Sequence, residues 1–377
     1  MTTVTSDLTE LLGTLRAFAI PMRTRFRGIT VREGALIHGP AGWGEFSPFA
    51  EYGPAESARW LASAIESATV PWPAPLRDSV PVNVTVPAVG PDRAYEIVAA
   101  SGCRTAKVKV AEPGQAEAED VERVEAVRDA LDATGRGGRI RVDANGAWSV
   151  DQAARVLREL DRYGLEYAEQ PCATLDELAA LRRLVDIPIA ADESIRKAED
   201  PLRVRAAGAA DIVMVKVQPL GGVRAALRVA QACGLPVVVS SAVDSSVGLA
   251  AGVALAAALP ELRYACGLAT MSLLTGDVTA QPLHETGGVL RDPGASTTSR
   301  SPHRISSSLN VTPNAVDGFN GVTTRPPSPP RRAGSARRPR PAPATGPDPS
   351  PSGPADRGRR PAGEPAVPRP RAPADRL

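Results

Sequence analysis

From about residue 81 a short apolar, β-branched run recurs every two to three dozen residues, at 82–87, 105–110, 140–145, 166–170, 188–193, 211–217, 236–242 and 263–269. Most runs are followed by a stretch of Ala, Leu, Arg and Glu whose apolar positions return every three or four residues, as at 149–163, 174–184 and 222–233. Continuous apolar runs read as strands buried on both faces, and the 3.6-type spacing between them reads as helices packed on a sheet. Eight strands alternating with helices predict an α/β fold, a TIM-type (β/α)8 barrel. The form expected is (β/α)7β, because no strong helical pattern follows the last run. A doubly wound sheet would show fewer strands and a Gly-rich phosphate loop, and the chain has neither a G-x-G-x-x-G after a first strand nor a P-loop.

Residues 1–80 follow another pattern. Strands are expected at 15–21 and 29–36 and a helix at 54–68, which makes a small α+β capping domain. The barrel then occupies 81–269, and 270–295 returns to pack on the cap. Residues 296–377 carry no periodicity.

Composition sharpens that last boundary. From Arg300 onward there are eighteen prolines, fourteen arginines, five acidic residues and no lysine. This segment carries +9, so the rest must carry −7 to give the net +2 of the whole chain. A Pro/Arg-rich segment with so little apolar surface cannot offset its chain entropy, so a disordered tail is expected there. Fourteen arginines could bind nucleic-acid phosphates. Against that partner, the tail has one aromatic residue (Phe319) and no Arg-Gly repeat, and the remainder of the chain is acidic.

Cys103, Cys172, Cys233 and Cys266 are widely spaced with no CxxC pair, and the N-terminus lacks a basic and an apolar signal region. Reduced cysteines and a cytoplasmic location are expected. Residues 242–260 come nearest to a membrane span but contain Asp244 and several glycines and serines, so no membrane partner is expected. The three histidines, His38, His284 and His303, all fall outside the expected barrel, which argues against a Ser-His-Asp hydrolase or a His-ligated zinc site.

Of the forty-four basic residues only four are lysines, and three of them end apolar runs: Lys107, Lys109 and Lys216. Arginine cannot give up its proton in a protein, whereas a desolvated lysine can serve as a base. Between them, Asp143, Glu169 and Asp192 end the intervening runs. Five successive units thus offer K-x-K, D, E, D and K at strand C-termini, where the mouth of such a barrel lies. Lys107 and Lys109, two apart, point to one face. Three carboxylates from adjacent strands make a hard oxygen site suited to Mg2+, with Mn2+ as an alternative. With a lysine on each side, the ring suits removal of a proton next to a carboxylate. Reducing any one of the three acids to alanine should abolish turnover and leave the barrel folded.

The order K-x-K, Asp-x-Asn, Glu-Gln-Pro, Asp-Glu-Ser and Lys resembles the enolase superfamily in its muconate-lactonizing branch. The stretches 20–34 and 42–49 are most similar to those of actinobacterial o-succinylbenzoate synthases. The resemblance implies a lyase of menaquinone biosynthesis acting on a small carboxylate substrate by syn-dehydration. It implies Asp143, Glu169 and Asp192 as metal ligands, supported by Asn145 and Glu193. Lys109 would be the base, Lys107 would tune it by like-charge repulsion, and Lys216 would stabilise the enediolate from the other face. Ser240, Ser241, Gly221, Gly222, Gly267 and Leu268 would hold the succinyl tail. Arg23, Arg25 and Arg27 fall on a loop expected to be mobile, with Arg25 the candidate for the substrate carboxylates. N-acylamino acid racemases, dipeptide epimerases and cycloisomerases would use the same metal and lysines, so residue types alone leave these alternatives open.

Overall fold

The computed structural model describes residues 8–135, 137–196 and 202–291. All of them fall in one of the chain's two units, Met1–Thr323. The expected tail, 296–377, lies outside the described residues.

After a short helix α1 (Leu8–Gly13), the cap begins as a hairpin of β1 (Arg16–Phe26) and β2 (Ile29–Gly39). Its two-residue turn, Arg27–Gly28, has φ of 50° and 77°. Both central residues left-handed is the turn whose twist matches that of the flanking strands. β3 (Gly42–Phe46), which sequence periodicity did not single out, pairs antiparallel with β2 and completes the sheet. α2 (Pro54–Thr69) starts with proline in its first turn and buries Trp60, Ala64 and Ala68. β3 lies so close to α2 that a Cβ on Gly44 would stand 2.0 Å from the Ala64 carbonyl oxygen, which is why glycine occupies that position.

β4 (Ser79–Pro81) spans the junction expected near residue 80. There follow β5 (Val84–Val86), α3 (Pro91–Ser101), β6 (Thr105–Lys109), α4 (Glu117–Ala133), β7 (Arg139–Asp143), α5 (Val150–Leu160), β8 (Leu165–Glu169) and α6 (Leu175–Arg182). Then come β9 (Ile189–Ala191), α7 (Glu193–Arg196), α8 (Arg203–Ala206), β10 (Ile212–Val215), α9 (Val217–Leu220), α10 (Val223–Cys233), β11 (Val237–Val239) and α11 (Ser246–Ala258). β5 to β11 form one parallel sheet in sequence order.

The eighth expected run, 263–269, forms no strand of its own, yet it bonds to both edges of that sheet. Cys266 N donates to Pro81 O (2.7 Å) and Cys266 O accepts from Asn83 N (2.9 Å); Gly267 N donates to Val239 O (2.8 Å) and Gly267 O accepts from Ser241 N (3.0 Å). The sheet therefore closes through a seam two residues long. Inside it, Tyr167, Ala190, Ile212, Met214 and Val238 form a packed layer. Arg141 completes that layer, stacked 4.7 Å from the Tyr167 ring and paired with Glu166 at 2.6 Å. With the interior filled below, only the strand C-termini are left to form a site.

α11 is apolar on every side and buried along twelve of its thirteen residues. It is the segment that came nearest to a membrane span; among the described residues no helix is long and apolar enough to cross one. The chain then returns to the cap. Thr275 N donates to Pro21 O at 2.9 Å, and β12 (Val289–Arg291) pairs antiparallel with β4.

Candidate active site

Sheet register brings the charged residues together. Lys109 lies directly across from Asp143, and Asp143 across from Glu169. Lys107 Nζ donates to Glu169 Oε1 at 2.6 Å and stands 2.9 Å from Asp143 Oδ2, to which Lys109 Nζ donates at 2.8 Å. Asp143 Oδ2 therefore sits between two ammonium groups and opposes the repulsion expected of them. Four strands away along the ring, Lys216 Nζ donates to Asp192 Oδ2 at 2.6 Å. Lys107, Lys109, Lys216, Asp143, Glu169 and Asp192 are all buried.

Asn145 adopts a left-handed φ of 48°, which asparagine tolerates better than most residues. This turn lets its N–H donate to Asp143 Oδ1 (3.0 Å) and its side-chain amide donate to Glu193 Oε1 (3.1 Å), while Lys109 donates to Asn145 Oδ1. Arg196, four residues after Asp192, pairs with Asp192 at 3.2 Å and with Glu193 at 2.6 Å, and also donates to the Tyr52 hydroxyl of the cap. Its signal in the sequence was an i,i+4 basic partner on the helical turn after Asp192.

Burial would raise Asp143, but Lys107 and Lys109 outweigh it and hold the carboxyl well below its usual range. The same opposition, with Lys216 and Arg196, lowers Asp192. Glu169 is pushed up to about 7 by burial first and then by Asp143, against Lys107. Burial would lower Lys107, yet Asp143 and Glu169 keep it charged. Lys216 is drawn below the ordinary lysine value by burial, against the pull of Asp192.

These acids can also accept a hard cation. Glu169 Oε2, Asp192 Oδ1 and Glu193 Oε2 are buried without a hydrogen-bond partner. Unpaired buried carboxylate oxygens are costly to keep and are the donor type that Mg2+ selects. As the side chains stand, no three acidic, His or Cys groups among the described residues converge closely enough to grip an ion. Each carboxylate is instead turned onto a lysine.

The cleft above this ring is lined on its far side by Ser240, Ser241 and Gly267. Thr85, Thr270, Ala242 and Val243 line it too, unsignalled by charge or motif. Arg25 is exposed and does not line it; the tight turn presents Phe26 and Arg27 instead, so the expected loop is a strand end. Phe26 places its ring 5.3 Å from Lys109 Nζ. Gly221 and Gly222 also stand apart from the cleft. They follow α9 with φ of 88° and 124°, and a Cβ on Gly222 would lie 1.6 Å from Glu66 Oε2 on α2, so the pair serves the cap–barrel junction. Leu268 is wholly buried in the core beside Gly252.

Sequence reasoning missed a buried polar cluster behind the cleft. Arg32 of β2 donates through Nε to Val243 O (3.0 Å) and through Nη2 to Ser47 Oγ (2.8 Å) and Ser47 O. Ser47 Oγ donates to Glu45 Oε1 at 2.6 Å. Glu45 Oε2 in turn accepts from the N–H groups of Ser245 (3.1 Å) and Gly248 (2.9 Å), capping α11. Gln218 donates to Asp244 Oδ1 at 2.7 Å. Val243 itself has φ of 61°, a conformation that costs a β-branched residue about 1–3 kcal/mol and persists only when its surroundings enforce it.

Glu45 is pushed up from 4.5 to about 7 by burial first and then by Asp244, with Arg32 opposing. A carboxyl that binds its proton more tightly when folded contributes stability that is complete below pH 4.5 and lost as pH rises through 7. Glu169 acts in the same direction. Metal-free protein should therefore unfold at lower urea at pH 8 than at pH 5, and Glu45→Gln should flatten that dependence. An unchanged slope in the variant would show that Glu45 titrates normally.

Residues 91–301 match the Enolase C-terminal domain-like family and 17–68 match the Enolase N-terminal domain-like family. The chain is 73% identical to o-succinylbenzoate synthase of Thermobifida fusca over 275 residues, covering 73% of this chain and 86% of that protein. It is 59% identical to o-succinylbenzoate synthase of Mycolicibacterium smegmatis over 292 residues, 77% of this chain and 89% of that one. The fold is shared with muconate lactonizing enzyme from Pseudomonas fluorescens, solved with muconolactone, at a TM-score of 0.66 and 22% identity over 81% of this chain and 97% of that one.

Proposed function

Because the chain belongs to the o-succinylbenzoate synthases, lyases of the enolase superfamily, we propose that it dehydrates 2-succinyl-6-hydroxy-2,4-cyclohexadiene-1-carboxylate to o-succinylbenzoate, a step of menaquinone biosynthesis in the cytoplasm. The observation that carries this reading is the pair of lysines across one mouth, Lys109 on β6 and Lys216 after β10, with three acids between them.

Lys109, as the free amine, takes the proton α to the substrate carboxylate. The C–O bond on the same face then breaks, Lys109 returns that proton to the departing hydroxyl, and water leaves as the ring becomes aromatic. Lys216 stays cationic and faces the enediolate oxygens from the opposite side. Lys107, charged by Asp143 and Glu169, spreads positive potential beneath the same oxygens. Asp143, Glu169 and Asp192 would hold Mg2+ or Mn2+, supported by Asn145 and Glu193, and a bound ion would supply Lewis-acid polarisation of the substrate carboxylate. Arg27, rather than Arg25, meets the succinyl carboxylate at the mouth, and Ser240, Ser241 and Gly267 bound its tail. The partner implied is this small dicarboxylate, with no role for membrane or nucleic acid.

A two-base racemase is the competing reading, favoured by the burial that draws Lys216 below the ordinary lysine value. Purified protein with Mg2+ should convert the cyclohexadiene carboxylate to the aromatic product, and a chelator should stop it. Rapid α-deuteration of N-succinylamino acids in D2O, with no aromatic product from the other substrate, would replace this reading with the racemase.

A further inference from the structure

We infer that Arg32 is a positioning residue, which fixes the β1–β2 hairpin against the barrel loop lining the cleft and so sets where the hairpin tip meets substrate. The inference rests on the reading of Arg27 and the mouth given above. Arg32 is only 2% exposed although it carries a guanidinium, and it lies four residues after the hairpin turn. Its fork reaches across the domain junction: Nε holds the carbonyl of Val243, 211 residues away, while Nη2 holds Ser47 beside β3. Val243 lines the cleft in a left-handed conformation, and its N–H donates to Ser241 Oγ at 3.3 Å. The Arg32 bond to the Val243 carbonyl thus steadies the same turn that presents Ser241 and Ala242 to the cleft.

The second link runs forward to the tip. The Phe49 ring lies 4.8 Å from the Arg32 guanidinium and 4.3 Å from that of Arg27, so one aromatic side chain touches both the anchor and the mouth. Burial draws the Arg32 guanidinium below its usual range, and Glu45 and Asp244, on either side of the junction, oppose that pull. A planar fork with five donors can bridge the Val243 carbonyl, Ser47 and an aromatic face at once, and an ammonium group cannot.

Arg32→Lys separates this role from charge balance, since it keeps the cation beside Glu45 and Asp244. It should raise KM by about tenfold or more with kcat within about threefold, because a displaced hairpin weakens substrate placement more than the lysine chemistry. Backbone amides at 22–29 should exchange hydrogen faster than in the parent, a readout that needs no substrate. Phe49→Leu, at a residue that makes none of the Arg32 hydrogen bonds, should also raise KM and serves as the deciding variant if Arg32→Lys does not fold. Unchanged KM and unchanged exchange at 22–29, or a fall in kcat with KM constant, would overturn the inference. If the parent lacks turnover, the proposed reaction fails while the exchange comparison still decides the role of Arg32.

Discussion

Lys109→Arg should lower turnover by about 10³-fold or more, the upper range for loss of a positioned general base, while Lys216→Arg keeps a measurable fraction. The asymmetry follows from what each ammonium is asked to do. Lys109 must pass through its neutral form, and a guanidinium retains its proton at any workable pH. Lys216 has only to remain positive where negative charge develops, and arginine in its place can pair with Asp192 as Lys216 does at 2.6 Å. Single-turnover rates with saturating Mg2+ and substrate measure both variants directly. Equal and complete loss in the two, joined to racemisation of N-succinylamino acids by the parent, would mean that both lysines transfer protons.

Asp143→Asn should destabilise the metal-free barrel by about 3–5 kcal/mol, the range for removing one partner of a buried ion pair. Its Oδ2 is the acceptor for both Lys107 (2.9 Å) and Lys109 (2.8 Å), and the side chain is 1% exposed. Asparagine can still accept the Asn145 N–H through Oδ1, but its amide would then turn two N–H donors toward two ammonium groups. The variant loses activity and stability together, which differs from the expectation that removing any one of the three acids would leave the barrel folded. Urea denaturation of the two chelated proteins gives the difference; a loss under about 1 kcal/mol would mean that solvent takes over the lysines' charge.

The ring of lysines and acids was legible because every member ends an apolar run and the lysines are a residue type the chain otherwise avoids. Lysine at 107, 109 and 216 stands out in a chain that otherwise prefers arginine, and spacing of one β/α unit supplies the rest. The Arg32 cluster was hidden for the opposite reason. Arg32 and Glu45 look like ordinary polar positions in a strand, and the barrel groups they bond, the Val243 carbonyl and the Ser245 N–H, lie about two hundred residues away. That Arg27 rather than Arg25 lines the cleft was hidden because nothing in Arg-Thr-Arg-Phe-Arg-Gly marks where the strand ends and the left-handed turn begins. Gly221 and Gly222 were recognisable as turn residues, but only the placement of Glu66 on α2 shows that they admit a neighbouring side chain rather than a ligand. The eighth run was read as a strand of ordinary length, whereas its sheet pairing is confined to Cys266 and Gly267.

The return of 274–291 onto β1 and β4 has a consequence for how the protein is made. Thr275 bonds to Pro21 across 254 residues, and β12 reaches back to β4 across 210, as Leu290 pairs with Val80. A ribosome releases the hairpin and α2 first, long before the segment that completes their edge has been translated. Until then β1 presents an unpaired strand edge, the kind of surface that nascent chains and chaperones contest. The barrel is synthesised in the interval and supplies the Val243 carbonyl for Arg32 before Thr275 emerges. Completion of the cap thus waits for 274–291 although the cap's own sequence comes first, and a chain stalled before residue 274 would carry all three lysines and three acids of the ring with that edge still unpaired.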